Sequence, residues 1–390
     1  MELTAPLVRQ RARRPAFGLD RLGRVDGWML LATFVLVAIG MVSVYAATRN
    51  HLVATGHPGT AYLKRDALNL LVGVVLALPV ARLDYRQLPN WAPPLYLGLC
   101  LLLLVVLSPA GATINGAHAW FALGPVQLEP SEFMKLALVL QLAAVLSASR
   151  LLDEGVSGRD VLQVLAAAGI PAVLILAEPA LGIALVVLVI AVALLALAGA
   201  PARWLALVVG GALLAATAAL SLHLLKPYQE QRFTYLAHPD ARSTSTAYQI
   251  DQSEIAIGSG GLWGQGFLHG SQTDGGFIPE QQTDFVFTVS AEEGGFVAGA
   301  ALLAALGVLL LRGIAISIAA PDLFGRLVAG GIVAWFMFQS FVNIGMTLGI
   351  MPVTGLPLPF VSYGGSSLFA DLLGVALLLS IHPRSRPTGT

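Results

Sequence analysis

The stretch "FIPEQQTDFVFTVSAEEGGF", residues 277–296, begins as a polar loop and ends inside an apolar segment, with carboxylates on both sides of the join. Asp284 stands at the mouth of that segment, and Glu292 and Glu293 lie within it. An acid at membrane depth costs roughly 2.5–3.5 kcal/mol on insertion scales, so it needs a partner or a function. The rest of the chain makes a membrane the right solvent. Of its 390 residues 56% are hydrophobic and 11% charged, against about 25% charged in a typical soluble domain. A formal net charge of zero gives no bulk attraction to nucleic acid, so no nucleic-acid partner is expected. The single Cys100 excludes an internal disulfide and a cysteine metal cluster.

Beyond that stretch, ten segments are long enough to cross about 30 Å of hydrocarbon. They fall near 28–47, 67–82, 92–108, 131–147, 161–177, 180–199, 203–223, 284–311, 327–350 and 364–381. The first is too long for a signal-peptide core of about 7–15 residues, so it stays in the membrane. A cytoplasmic N-terminus puts fifteen Lys/Arg inside and six outside, with Lys135 within a span. Six of the inside residues are arginines between Arg9 and Arg24, so both termini are expected in the cytoplasm. The expected fold is an all-α polytopic membrane protein with ten transmembrane helices. It comprises a basic tail (1–27), a membrane domain (28–381) and a second cytoplasmic tail (382–390). No internal repeat is visible.

This topology leaves two long extracytoplasmic segments, 109–130 and 224–283, the second between helices 7 and 8. The second is too polar to be buried and too short for an independent catalytic domain. Its Lys226, Arg232 and Arg242 face six acids from Glu230 to Glu280. Its "GSGGLWGQG" run, residues 258–266, fits neither a P-loop nor a dinucleotide fingerprint, and reads as a flexible outer loop. A third irregular stretch, "NIGMTLGIMPVTGLPLPFVSYGGSS" (343–367), has Pro and Gly throughout and no charge. Such backbone cannot face lipid. It is either a tight loop between helices or a re-entrant wall of a substrate groove.

Charge within the spans is sparse. In "EPSEFMKLALVL" the spacing of three sets Glu132 and Lys135 on one helix face, as an interfacial ion pair or as part of a site. Asp284 reads as a helix N-cap or as a catalytic acid. Glu292 and Glu293 point to different faces, and at least one should pack against other helices. None of the seven histidines forms a His-Glu-x-x-His pair, and no serine nucleophile elbow appears. What remains suits proton transfer with stabilisation of an anionic leaving group.

Four blocks carry a resemblance: "NGAHAWFALGPVQLEPSEFMKLAL", "YQIDQSEIAIGSGGLWGQGFLHGSQT", "FIPEQQTDFVFTVSAEEGGF" and "NIGMTLGIMPVTGLPLPFVSYGGSS". Together they resemble the SEDS family, the RodA/FtsW-type proteins of bacterial cell-wall synthesis. "GFLHGSQT" is more similar to the elongation, RodA-like branch. The resemblance implies ten transmembrane helices in the cytoplasmic membrane and a peptidoglycan glycosyltransferase that polymerises lipid II. A lipid-linked precursor flippase or transporter is the alternative.

The resemblance also implies a class B penicillin-binding protein as partner, alongside other elongation-complex proteins and membrane lipids. The partner's helix is expected on spans 8 and 9, around 297–311 and 327–340, with Gly299, Gly330 and Gly331 permitting close approach. By position Asp284 matches the acid of the family's Thr-Asp-Phe motif, and Glu132 and Lys135 match its Pro-Ser-Glu-x-x-Lys motif. Arg232, Lys226, Tyr363 and Ser366 are the candidate substrate contacts. No organic cofactor is expected, and a divalent ion such as Mg or Mn remains an option held by loop acids. The chain departs from the family pattern at Ala119, Ala180 and Gln282, so no catalytic need is expected for those three side chains.

Overall fold

In the computed structural model, residues 26–114, 117–123, 126–150, 156–222 and 245–385 are described. Helices occupy the ten positions where the sequence predicts spans. They are α1 (Gly27–Ala54), α2 (Ala61–Arg82), α3 (Leu88–Val106), α4 (Pro130–Arg150), α5 (Gly158–Ala177), α6 (Leu181–Leu197), α7 (Ala202–Ser221), α10 (Val286–Ala319), α11 (Leu323–Thr347) and α12 (Gly365–Ser385), with α8 (Ser245–Ser259) and α9 (Ser271–Gly275) ahead of α10. Among the described residues seven helices are long and apolar enough to cross a membrane. Of the other predicted spans, α6 and α7 are apolar but shorter, and α2 carries Lys64, Arg65 and Asp66 near its start.

Local chemistry sets the helix ends. Asp26 accepts from the Met29 amide at the start of α1, and Asp322 accepts from Gly325 at the start of α11. Ser157 and Asp160 form a capping box on α5. Arg312 of α10 is 2.7 Å from Asp26, so that cap also ties two helices together. In the core α2 packs most heavily on α12, α1 on α10, and α3 on α4, while α11 lies against α4, α6 and α10.

The all-α expectation needs one correction. Segment 109–130 contains a three-stranded antiparallel sheet, β1 (Ala112–Ile114), β2 (Ala117–Leu123) and β3 (Val126–Leu128). Thr113 pairs with His118 and Phe121 with Leu128. The runs are too short for a span, and pairing satisfies their backbone while returning the chain to α4 at Pro130.

A second correction concerns the glycine-rich run. α10 is broken at Gly295, where φ is 66°. Residues 260–266 enter the break as a strap. Gln265 and Gly266 donate to the carbonyls of Glu292 and Glu293 (2.9 and 3.1 Å), while Phe296 and Val297 donate to those of Gly261 and Leu262 (2.9 and 3.2 Å). A Cβ on Gly260 would stand 1.9 Å from the Ala291 carbonyl oxygen, and one on Gly264 2.0 Å from that of Glu293. Only glycine lets two backbones approach so closely. The strap is therefore a structural insert tied down through its backbone rather than a free loop, with the Leu262 and Trp263 side chains exposed.

The 343–367 stretch follows the re-entrant alternative in one respect: it is packed in protein. Val353, Leu356, Leu358, Phe360 and Val361 are buried. Phe360 takes a positive φ of 65°, and its amide is held by the Asp371 carboxylate at 3.1 Å. The expected partner stripe is revised too. Cβ atoms on Gly330 and Gly331 would meet Leu197 and Val139 at 2.3 and 2.9 Å, so both glycines serve packing inside the bundle. The outward apolar face belongs to Phe296, Leu303 and Leu311 of α10 and Met337 and Phe341 of α11.

Candidate functional site

The site begins at the corner where β3 meets α4. Pro130 opens the helix with a preset φ, which puts Glu132 and Lys135 one turn apart on the same face. Lys135 Nζ lies 2.8 Å from Glu132 Oε2 and 2.9 Å from Gln339 Oε1. It also sits 4.7 Å from the centre of the Trp335 ring. Lys135 is 0% exposed and Glu132 2%. Gln339 in turn donates to the Pro357 carbonyl at 2.7 Å, so the ion pair is anchored to the irregular wall. A buried pair survives only with such added bonds.

Asp284 is half-buried and lies one residue before Phe285, which takes the N-cap position of α10. The N-cap reading of Asp284 is thereby corrected: α10 starts one residue later than that reading requires. Backbone bonds fix its place. Its amide donates to Glu280 at 3.0 Å, and its carbonyl accepts from the Asn343 side chain at 2.9 Å. The same Asn343 amide group donates to Leu356 at 2.7 Å. Ser362 donates to the Thr283 carbonyl, and the Tyr363 amide donates to that of Gln282 at 2.9 Å. Gln282 thus contributes through its backbone, whatever its side chain.

Glu129 is a member of this neighbourhood that the sequence reading passed over. It is partly buried at the β3–α4 corner. Burial first, and the Glu132 charge second, push its carboxyl up to about 8; Lys135 and Asp284 are also near enough to act on it. Ser131 donates to Glu129 at 2.8 Å. A partly buried acid with a displaced pKa marks a candidate site. The available signal was spacing: Glu129 precedes Glu132 by three residues. Behind it Glu178, at the C-terminal end of α5, is 0% exposed, and neither carboxylate oxygen has a hydrogen-bond partner. Burial, with Glu129 second, raises Glu178 to about 8 as well.

The remaining candidates separate. Ser366 accepts from the Glu129 amide at 2.9 Å and donates to Gln127 at 3.2 Å, fastening the β3–α4 corner to α12. Tyr363 packs edge-on against Tyr62 at 4.8 Å, and Arg65 reaches its phenol. Lys226 and Arg232 lie outside the described residues. Glu292 has a structural role, capping α9. It accepts from the amides of Gln272 and Thr273 (2.6 and 3.1 Å) and from the Thr273 hydroxyl (2.7 Å). Among the described residues no group of three or more His, Cys, Asp or Glu side chains is placed to hold a metal ion. Ala119 is buried on β2.

Chemically, this is a half-buried carboxylate beside a protonatable acid and a fixed ion pair. It can take a proton from a hydroxyl in a water-poor setting. The family model for cell cycle proteins of the FtsW, RodA and SpoVE type matches residues 27–387. The peptidoglycan glycosyltransferase MrdB of Escherichia coli K12 is 36% identical over 363 residues, covering 92% of this chain and 93% of the relative. A chain in a structure described as "Structural coordination of polymerization and crosslinking by a peptidoglycan synthase complex" aligns with a TM-score of 0.75 and 38% identity, covering 93% of this chain and 98% of that one. The crystal structure of the rod shape determining protein RodA of Thermus thermophilus aligns at 0.67 and 35% identity, covering 92% and 97%.

Proposed function

The chain belongs to the FtsW/RodA/SpoVE family of cell cycle proteins, and we propose that it is a peptidoglycan glycosyltransferase of the RodA-like branch. It polymerises lipid II into glycan strands at the outer face of the bacterial cytoplasmic membrane, for elongation and cell shape. Ten transmembrane helices with both termini in the cytoplasm complete the reading. The observation that carries it is the meeting of Thr283–Asp284, the buried wall at 356–363 and the Glu129–Glu132–Lys135 cluster.

Glycan extension requires a sugar hydroxyl to attack the anomeric carbon of a donor carrying a polyprenyl pyrophosphate. Asp284 accepts the hydroxyl proton as the bond forms. The C–O bond to pyrophosphate breaks in the same step, and the charge passes to the leaving phosphate. Displacement in one step inverts the anomeric centre. Lys135 is too enclosed to meet that phosphate directly, so it acts as a positioning residue that holds Glu132 and, through Gln339, the wall behind Asp284. Arg232 and Lys226 remain the proposed loop cations for the phosphates. A divalent ion, if used, would be held by substrate phosphates with one or two carboxylates, the mode Mg²⁺ favours.

The solved complex named above is described as coordinating polymerisation with crosslinking. By analogy this chain works beside a class B penicillin-binding protein, with other elongation proteins around the pair. Purified chain and partner in vesicles, supplied with labelled lipid II, should yield long glycan strands. Leaflet transfer of intact lipid II without strands would identify a flippase instead.

A further inference from the structure

Asp371 lies inside a span, on the second turn of α12, with 1% of its surface exposed. Lys135 and Glu132 are near enough to act on it. A buried carboxylate at membrane depth needs a partner or a function. One of its oxygens accepts from the Phe360 amide at 3.1 Å, and among the described residues the other has no hydrogen-bond partner. Phe360 is the middle residue of a tight turn. Its φ of 65° is an outlier for a bulky side chain, and such backbone persists only where its surroundings hold it. The turn closes on itself. The Leu358 carbonyl accepts from the Val361 and Ser362 amides at 3.2 and 3.0 Å, and the Leu358 amide donates to Ser362 Oγ at 2.8 Å. Packing holds two more sides. The Phe360 ring stands edge-on to Phe336 at 5.3 Å, and a Cβ on Gly40 of α1 would lie 2.5 Å from the Val361 carbonyl oxygen.

The turn faces the loop that carries Asp284. Ser362 donates to the Thr283 carbonyl, and the Tyr363 amide donates to the Gln282 carbonyl at 2.9 Å. Ser362 Oγ therefore works in both directions, accepting from Leu358 and donating to Thr283, so a turn that opens loses both bonds. Without an acceptor at position 371 the Phe360 amide would be left unpaired in the core, which a buried donor resists by moving. We propose that Asp371 is a positioning residue for polymerisation: its carboxylate locks the turn at Phe360, and the locked turn fixes where Thr283 and Asp284 stand. This assignment rests on the polymerase reading of the acid cluster and adds what holds its base in place.

The test measures initial rates of strand synthesis against lipid II concentration, per mole of folded chain bound to its partner. Asp371→Leu removes the acceptor and leaves an apolar group of similar size. A base displaced by near an ångström costs about 10²-fold, and an interaction made only in the transition state shows in kcat rather than KM. Asp371→Leu should therefore lose about 10²-fold in kcat, with KM changed by less than about twofold. Asp371→Asn keeps an oxygen that can accept from the Phe360 amide, and should hold kcat within about threefold. Asp371→Ala takes the place of Asp371→Leu should the larger side chain fail to pack. Wild-type kcat in a folded variant that lacks the acceptor would overturn the proposal, as would a loss carried wholly by KM. So would an equal loss in Asp371→Asn, which would mean that the charge beside Lys135 matters rather than the acceptor. A wild type that makes no strands defeats the polymerase reading and this assignment with it. Equal strand synthesis by wild type and Asp371→Leu defeats this assignment alone.

Discussion

An acid sealed in protein with no hydrogen-bond partner holds its proton, and Glu178 is such a group. Folding raises its pKa from 4.5 to about 8. Between those values the unfolded chain releases a proton that the folded chain keeps, so stability falls as pH climbs through that window. Glu178→Gln removes the dependence. Its thermal midpoint should match the wild type near pH 5 and exceed it increasingly towards pH 8; a constant gap would show that Glu178 titrates normally. Lys135 gives a second test. Lys135→Met strands a buried carboxylate, which costs about 3–5 kcal/mol of stability. It should also abolish strand synthesis. Adding Glu132→Gln should restore much of the stability and none of the activity, and recovery of both would make the pair purely structural. The Glu132–Lys135 pairing was legible because three residues in a helix is a fixed geometry. Its third member, Gln339, lies 204 positions away, and local spacing says nothing about such a contact.

Among the elements, the break in α10 and the glycine strap form one unit. Each satisfies backbone groups that the other would leave unpaired. Gly264→Ala would set a Cβ 2.0 Å from the Glu293 carbonyl at a φ of +82°, so it should cost at least about 1–3 kcal/mol. Proteolysis between residues 260 and 276 should accelerate in that variant, while Gly258→Ala, whose Cβ meets nothing, should stay resistant. Equal resistance in both would mean that the strap is not seated in the break. The sequence revealed glycines but not what their missing side chains make room for, so the strap read as a flexible loop. The ten helix positions were legible because length and apolarity are local properties. The small sheet was not, since its strands are short and paired only with one another.

For the bundle as a whole, we propose that the outward apolar face of α10 and α11 receives the partner helix. Photocrosslinkers at Leu303, Leu311 and Phe341, all exposed, should capture a class B penicillin-binding protein, whereas Gly330 and Gly331 positions should not. Capture only from α1 to α3 would move the interface. Glycan polymerisation with Asp284 as the base stands or falls on one comparison. Wild type, Asp284→Asn and Asp284→Glu are purified with the partner and given the same lipid II. Because the N-cap of α10 falls on Phe285, Asn should leave the fold intact. It cannot take the proton, so strand synthesis should drop by about 10²–10⁴-fold. Glu, misplaced by one methylene, should retain a small fraction, since an error near an ångström costs about 10²-fold. An Asp284→Asn protein that makes strands at close to the wild-type rate would show that Asp284 is not the base.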